Sequence, residues 1–546
     1  MLRTQIESEV KKALKDMGAG EAVFVVERPD SLQHGDFATN AALAAAKILK
    51  KSPKEAADLL KAKILSIEGV DKIEIAGAGF INFFLSRSAI KKEVETAATD
   101  NTWGNTFIYE SKAIMVEYTD PNPFKEFHIG HLMSNAIGES IARLLEASGA
   151  TVTRANYQGD VGLHVAKAIW GKMQNPATTW GEAYVYGAQQ YETHKEEIDG
   201  INKKVYERSD TEVNALYDSG RKTSLAHFEG LYTILGTKFD FYFFESETTP
   251  IGRALVESCP NVFVESDGAR VFRGEEEGLH TRVFLTSQGL PTYEAKDLGL
   301  LKLKNEKNFD TSITITASEQ KEYFKVVLAA AKHITELQTI AQKTMHVSHG
   351  MMRFTEGKMS SRKGNVITGE SLLKDLTNVA KEKMQERELA DAEKISEQVA
   401  VGAIKYSVLK QGSGKDIIFD AEKSLSLEGD SGPYIQYAHT RALSLLRGAK
   451  EASIAADTSD MPKEASSLER LLLHFPDVVR RAAKELEPHY VTTYVTELAS
   501  EFNSWYANER ILAGNYPHYG VLLTQATEQT LAKGLSILGI SAPEEM

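Results

Sequence analysis

The chain has 546 residues, a single cysteine and a formal net charge of −13. Its length is too great for one hydrophobic core, so about three to four domains are expected. The lone Cys259 excludes a disulfide framework and a multi-cysteine zinc site and fits a reducing cytoplasm; the acidic balance argues against a general nucleic-acid coat protein, although six lysines and two acids between Lys47 and Lys63 leave room for a local basic patch. The amino terminus, MLRTQIESEVKKALKDMG, has no apolar core of the kind a signal peptide needs, and no run approaches the length of a membrane span.

Residues 1 to about 100 predict a small α+β unit. Leu2, Ile6, Val10 and Leu14 recur every four residues, as an amphipathic helix requires, and a second helical run covers 39–62 with Pro53 opening its second half. Alternation at 72–76 and the run FINFFL at 80–85 predict strands. AIMVEY at 113–118 reads as a buried strand, followed by a proline-rich loop, a helix from His131 ended by Gly149, and a strand at 151–157. This β-loop-α-β order marks a parallel sheet. Residues from about 172 to 275 are helix-rich and charged, and predict an insertion. Strands are expected at 280–286, 311–316 and 345–348, with a helix at 323–333 before the last of them. From about 375 onward the pattern is almost wholly helical. The fold class expected is multidomain α/β: an N-terminal α+β domain (1–105), a Rossmann-like parallel-sheet domain with a helical insertion (106–372), and a C-terminal all-α bundle (373–546).

Two motifs carry chemistry. The first, PNPFKEFHIGH at 121–131, lies between a strand and a helix, where free backbone N–H groups and the positive helix end favour an anion. Gly130 permits close approach of a phosphate-bearing ligand, and His128 and His131 can donate to its oxygens; a plain helix-capping loop with two incidental histidines is the alternative. The second, GKMSSRKGN at 357–365, sets three cations and two hydroxyls after a predicted strand. It can close over a triphosphate and stabilise the charge passing to pyrophosphate, or it can be an ordinary solvated basic loop.

The two together, HIGH after the first strand and a KMSKS-like loop after the last, resemble class I aminoacyl-tRNA synthetases. A third group bears on the amino acid. Glu117 precedes the HIGH loop, and Tyr293 and Asp297, four apart, fall on one face of a helical turn. A guanidinium needs planar acceptors, which carboxylates supply, and a tyrosine can bracket it; a capping or surface salt-bridge role for Asp297 is the alternative.

The resemblance to arginyl-tRNA synthetases runs over nearly the whole chain. QHGDFATN (33–40) and GAGFINFF (77–84) resemble that family's N-terminal domain, which touches the outer corner of tRNA. VEYTDPN (116–122) is similar to its VEFSSPN stretch, which implies that Glu117 and Asn122 contact substrate arginine. Tyr293 and Asp297 match its YxxxD pair at the guanidinium end, and Gln320 sits where it has a Gln or His near the substrate. EGDSGPYIQYAHTR (428–441), FNSWYANERILAG (502–514) and GLSILGISAPEEM (534–546) resemble the anticodon-binding domain; the last implies that the chain ends where the family ends. Trp505, Tyr506 and Arg510 are candidates for stacking on and gripping splayed tRNA bases, with helix core as the alternative for Trp505.

The resemblance implies an enzyme that joins arginine to ATP as arginyl-adenylate and then to the terminal adenosine of tRNA, first on the 2′-hydroxyl, with adenylate formation waiting for tRNA. ATP contacts are expected from Pro121, His128, Gly130, His131, Met352, Lys358, Met359 and Ser360. Mg²⁺ is expected to arrive with ATP, with no structural zinc and no membrane partner, and the enzyme is expected to be a cytoplasmic monomer. Two departures matter. Ser361 replaces the second lysine of KMSKS, so the catalytic cation is divided among Lys125, Lys358 and Lys363; and GDVGLH (159–164) has His164 where the family has Gln, which removes the expected substrate contact there. Another class I synthetase, a small nucleotidyltransferase and a non-catalytic tRNA-binding paralogue remain as other readings.

Overall fold

The computed structural model describes residues 2–29, 31–64, 66–355, 367–384 and 391–546. Two compact units emerge. One comprises Met1–Asn105, Tyr437–Arg481 and Tyr494–Gly534; the other comprises Thr106–Gln436, Ala482–Thr493 and Leu535–Met546.

In the first unit, four antiparallel strands lie in the order Val26–Glu27, Phe37–Thr39, Phe80–Leu85, Val70–Ala76. The helical run expected over 39–62 is two helices, Ala41–Leu49 and Pro53–Lys63. The break is chemical: Ser52 and Glu55 form a reciprocal capping box, and Pro53 takes the first helical position, where its missing N–H costs nothing. The same unit contains helical residues from the C-terminal third. Trp103 Nε1 donates to Thr530 Oγ1 at 3.1 Å, and Arg87 pairs with buried Glu469 at 2.7 Å.

The second unit is built on a five-stranded sheet. Its elements are β1 (Ala113–Glu117), α1 (Ile129–Ala147), β2 (Thr151–Gln158), α2 (Leu163–Gln174), β3 (Phe241–Phe244), α3 (Glu245–Ser258), α4 (Tyr293–Asn305), β4 (Thr311–Ala317), α5 (Lys321–Lys332) and β5 (Thr344–His349). All pairings are parallel, in the order β5-β4-β1-β2-β3. Ile114, Met115 and Val116 are buried in succession, as a strand covered on both faces demands. The chain steps from β1 outward to β3 and then restarts on the other side of β1. The crevice where this order reverses, at the carboxyl ends of β1 and β4, is where such sheets bind ligands.

Within 172–275, three helices, Trp180–Gln190, Lys195–Glu207 and Thr211–Leu235, precede β3, which is a strand of the main sheet. The strand expected near 280 is Arg282–Leu285. It joins Ala269–Phe272 and Val264–Ser266 in a separate antiparallel sheet. Past β5, Met352–Phe354 pairs in parallel with Ile417–Phe419, a strand in the stretch read as almost wholly helical.

Two close helix contacts set up the site. A side chain at Gly252 of α3 would meet the Ala295 carbonyl of α4, and one at Gly299 of α4 would meet the Thr248 carbonyl of α3. Bare backbone there lets the two helices touch. In α1, Gly138 lies under the Tyr118 ring, which a Cβ would strike. Alanine in a helix normally stabilises, but this neighbour is the rigid base of a buried ring. Gly138→Ala is therefore expected to cost about 1–3 kcal/mol, read as a lower thermal midpoint; a raised midpoint would contradict the packing.

Candidate active site

The loop from β1 to α1 is held in uncommon backbone geometry. Thr119, Asp120 and Phe124 all have positive φ, at 79°, 47° and 72°. Such angles persist in non-glycine residues only where surroundings impose them. Here Ser134 Oγ accepts from Thr119 N at 3.0 Å, Asp120 Oδ1 accepts from Tyr157 N at 2.7 Å, and Ser224 Oγ accepts from Phe124 N at 2.9 Å. The Phe124 ring is buried against Trp180 and Tyr217. Pro121 is buried and Asn122 half-buried between these anchors.

The loop delivers the two histidines to the start of α1. His128 is the N-cap, and its Nδ1 accepts from Gly130 N at 3.1 Å. His131 Nδ1 accepts from His128 N at 3.2 Å, and the rings stack with centroids 3.4 Å apart. A Cβ at Gly130 would lie 2.9 Å from the His128 ring, so glycine keeps that ring folded over the helix end. Desolvation, then the charge of Lys125, lowers the pKa of His128; burial, then His128 and Lys125, pushes that of His131 well down. Both rings are thus neutral at pH 7. Because Nδ1 accepts in each, the proton sits on Nε2, and each ring offers an Nε2–H donor beside the helix N-terminus. The pair can therefore act as neutral donors to anionic oxygens rather than as cations.

Beside this anion site lies a cluster of carboxylates. Glu117 ends β1 and is 2% exposed; Lys304 of α4 pairs with it at 2.8 Å and also donates to Thr314 Oγ1 at 3.1 Å. Glu245 opens α3, buried, and Lys296 of α4 pairs with it at 2.5 Å. Gly159, at the turn after β2, lies against both Asn122 Oδ1 and Glu245 Oε1. Asp297, one turn into α4, accepts from the Tyr323 hydroxyl at 2.6 Å. Burial pushes the Asp297 carboxyl up to about 7; the Tyr323 hydrogen bond opposes this, and the charges of Glu117 and Glu245 add to it. Burial, then Glu117, also raises Asp120 well above the usual carboxylate range. The Lys296 ammonium lies 5.1 Å over the ring of Tyr293, which is 63% exposed at the rim. Among the described residues the cluster has more carboxylates than cations, and suits a cationic group.

Several predicted residues thus meet: Glu117, Asn122 and Asp297 in the acidic pocket, and Pro121, Lys125, His128, Gly130 and His131 along the loop. Lys125 stands 5.1 Å over the Tyr184 ring, its pKa lowered by desolvation. Gln320 is exposed on the turn after β4. Met352 is half-buried in its strand, and Thr368 bridges to the backbone of His128. Lys358, Met359, Ser360 and Lys363 lie outside the described residues. His164 is tied to the Gly159 carbonyl, Nε2 to O 2.8 Å, and burial lowers its pKa to about 3. Trp505 and Tyr506 belong to the first unit, on His489–Asn508, with Arg510 in the turn beyond. Trp505 is half-buried, Tyr506 and Arg510 are exposed, and the Arg441 guanidinium lies 4.9 Å over the Tyr506 ring.

Sequence reading missed Glu245, Lys296, Lys304 and Tyr323. A weak signal existed for Lys296, a lysine inside the YxxxD turn, and for Glu245, an acid ending an aromatic strand. Among the described residues, no group of three or more His, Cys, Asp or Glu is placed to hold a metal ion, and no helix is long and apolar enough to cross a membrane.

Comparison with known proteins agrees with this geometry. Residues 93–232 and 249–421 match the family described as "tRNA synthetases class I (R), catalytic domain", residues 4–85 the "Arginyl tRNA synthetase N terminal domain", and residues 435–546 the "DALR anticodon binding domain". The sheet, its switch-point crevice and the HIGH helix are those of a class I aminoacyl-tRNA synthetase. The chain is 31% identical to an arginine–tRNA ligase of Clostridium perfringens, over 96% of each chain, and 32% identical to one of Streptococcus agalactiae, over 99% of each. It superposes on the arginyl-tRNA synthetase of Thermus thermophilus with a TM-score of 0.84 at 28% identity, covering 100% of both chains. It shares the fold of the Plasmodium falciparum arginyl-tRNA synthetase, TM-score 0.82 at 21% identity, over 100% of this chain and 99% of that one. The chain belongs to the arginyl-tRNA synthetase family.

The histidine assignment is testable by ¹⁵N NMR of labelled protein. His128 and His131 are expected to stay neutral and Nε2-protonated from pH 8 down through pH 6.5. A ring that titrates at or above 6.5 would contradict the site geometry.

Proposed function

We propose that the chain is an arginine–tRNA ligase: it activates L-arginine with ATP to arginyl-adenylate and pyrophosphate, then transfers the arginyl group to the 3′-terminal adenosine of tRNA(Arg). The observation that carries this reading is Asp297 in a charge-poor pocket beside the paired Nε2–H donors of His128 and His131. A guanidinium supplies the missing positive charge and presents paired donors to a carboxylate. Asp297 and Tyr293 would hold the guanidinium end, with Glu245 close by. Glu117, Asn122 and Gln320 would hold the amino-acid end.

The substrate carboxylate then attacks the α-phosphorus of ATP and pyrophosphate leaves. No protein nucleophile is required; positioning and charge stabilisation suffice. His128 and His131 would donate to phosphate oxygens at the α1 N-terminus. Lys125, Lys358 and Lys363 are the candidates for neutralising the departing pyrophosphate, with Pro121, Gly130, Met352, Met359 and Ser360 lining the nucleotide. Mg²⁺ would enter with ATP as part of the substrate and offset phosphate charge. The 2′-hydroxyl of the terminal adenosine takes the arginyl group, and adenylate formation waits for tRNA. In the first unit, exposed Tyr506 with Arg441 over its ring, flanked by Trp505 and Arg510, suits stacking on unpaired bases. The working division is a tRNA-contacting domain over 1–105, a catalytic domain over 106–372 and an anticodon-binding domain over 373–546, in a cytoplasmic monomer.

Two measurements test the reading. Attachment of labelled arginine to tRNA(Arg) is expected for the purified chain. Asp297→Asn should lower kcat/KM for arginine by at least about a hundredfold, and a neutral result would remove Asp297 from the guanidinium site. The second is pH. Arginine needs Asp297 ionised, and its carboxyl sits near 7, so protonation competes with binding below that value. kcat/KM for arginine should level off above pH 7 and fall roughly tenfold per unit below it; a flat profile down to pH 5.5 would contradict this.

A further inference from the structure

The face of α1 turned away from the histidines is gripped by the end of the chain. The helix Pro517–Ile537 finishes in the second unit, where Gly539 N and Ile540 N cap the Ser536 and Leu535 carbonyls and side chains add further donors. Ser140 Oγ of α1 donates to Ile537 O at 3.0 Å, and Arg143 Nη1 donates to Ser536 O at 3.0 Å. Lys405, fully buried, donates to Gly539 O and to Leu235 O, each at 2.7 Å. The Arg143 guanidinium thus meets the negative end of the helix, with Lys405, its pKa lowered by burial to about 7, as a further donor.

The same Arg143 reaches a buried carboxylate of α1. Its Nε donates to Glu139 at 2.6 Å, and Arg154 Nε donates to that buried carboxylate at 3.0 Å. Glu139 also accepts from the Tyr118 hydroxyl. Tyr118 lies between Glu117, in the acidic pocket, and Thr119, the first positive-φ residue of the loop that ends in the HIGH helix. An unbroken set of hydrogen bonds therefore runs from Ser536 through Arg143 and Glu139 to Tyr118.

The geometry points to Arg143, Glu139 and Tyr118 as positioning residues, through which the docked chain terminus fixes the loop that presents Glu117 and Asn122 to the amino acid. None of the three touches substrate. Their effect is on where Glu117 and Asn122 stand, so it falls on arginine binding. This rests on the arginine–tRNA ligase reading.

The test is steady-state charging of tRNA(Arg) by the full chain and by Tyr118→Phe, Arg143→Gln and the double variant, with melting temperatures recorded. Expected are a roughly tenfold rise in KM for arginine in each single variant, unchanged KM for tRNA, and a double variant no worse than the weaker single one. That non-additivity marks one connected device. If Arg143→Gln does not fold, Ser140→Ala, which removes the neighbouring bond to Ile537 O, replaces it. A fall in kcat that follows the folded fraction, with KM for arginine unchanged, would overturn the inference and leave a merely structural network. So would strictly additive effects. If the wild-type chain charges no arginine in this assay, the functional reading itself fails, a different outcome from unchanged KM in the variants.

Discussion

Two buried lysines from one helix decide what the site can be. Lys304 and Lys296 of α4 neutralise Glu117 and Glu245, each pair closed to solvent. A carboxylate left unpaired at such depth would be strongly destabilising, so the pairs hold the pocket together rather than add to its stability. Asp297 and Asp120 share the pocket without such an ammonium partner among the described residues, and burial, with the charge of Glu117, raises their carboxyls. The pocket is left ready for one more positive charge. Everything around it, from the helix crossing at Gly252 and Gly299 to the Tyr323 hydroxyl on Asp297, serves to keep that deficit in one place.

The half that carries the histidines is built by a different rule. It carries no formal charge on its histidines. Two backbone N–H groups fix both Nδ1 atoms as acceptors, which determines the tautomer and therefore the direction of each remaining donor. Three positive-φ residues raise the cost of the loop that sets this up, by about 1–3 kcal/mol each. The hydrogen bonds that tie Thr119, Asp120 and Phe124 to three separate elements, two donated by the loop and one accepted by Asp120, offset it.

Local features were legible in the sequence. The strand at 113–117, the loop of 121–131 and the helix after it follow from short-range pattern, and the histidines stand where HIGH puts them. What escaped was set by distance along the chain. Glu245 and Lys296 are 51 residues apart, and only the α3–α4 contact at two glycines brings them together. β3 is four residues long, follows a 25-residue helix and has no alternation to mark it, so its stretch read as helical insertion. The helix expected over 39–62 divided because Ser52 and Glu55 cap it internally. Asp297 and Tyr293 were found by their spacing, but their difference in exposure, a rim tyrosine and a deep carboxylate, is a tertiary property that spacing does not encode.

On the proposed reading the pocket selects a cation, not merely a side chain of the right length. Citrulline has nearly the shape of arginine and no charge. The decisive measurement is kcat/KM for attachment to tRNA(Arg) of arginine against citrulline at pH 8. A charge-deficient pocket predicts a preference for arginine of at least about a thousandfold; comparable use of the two would contradict it.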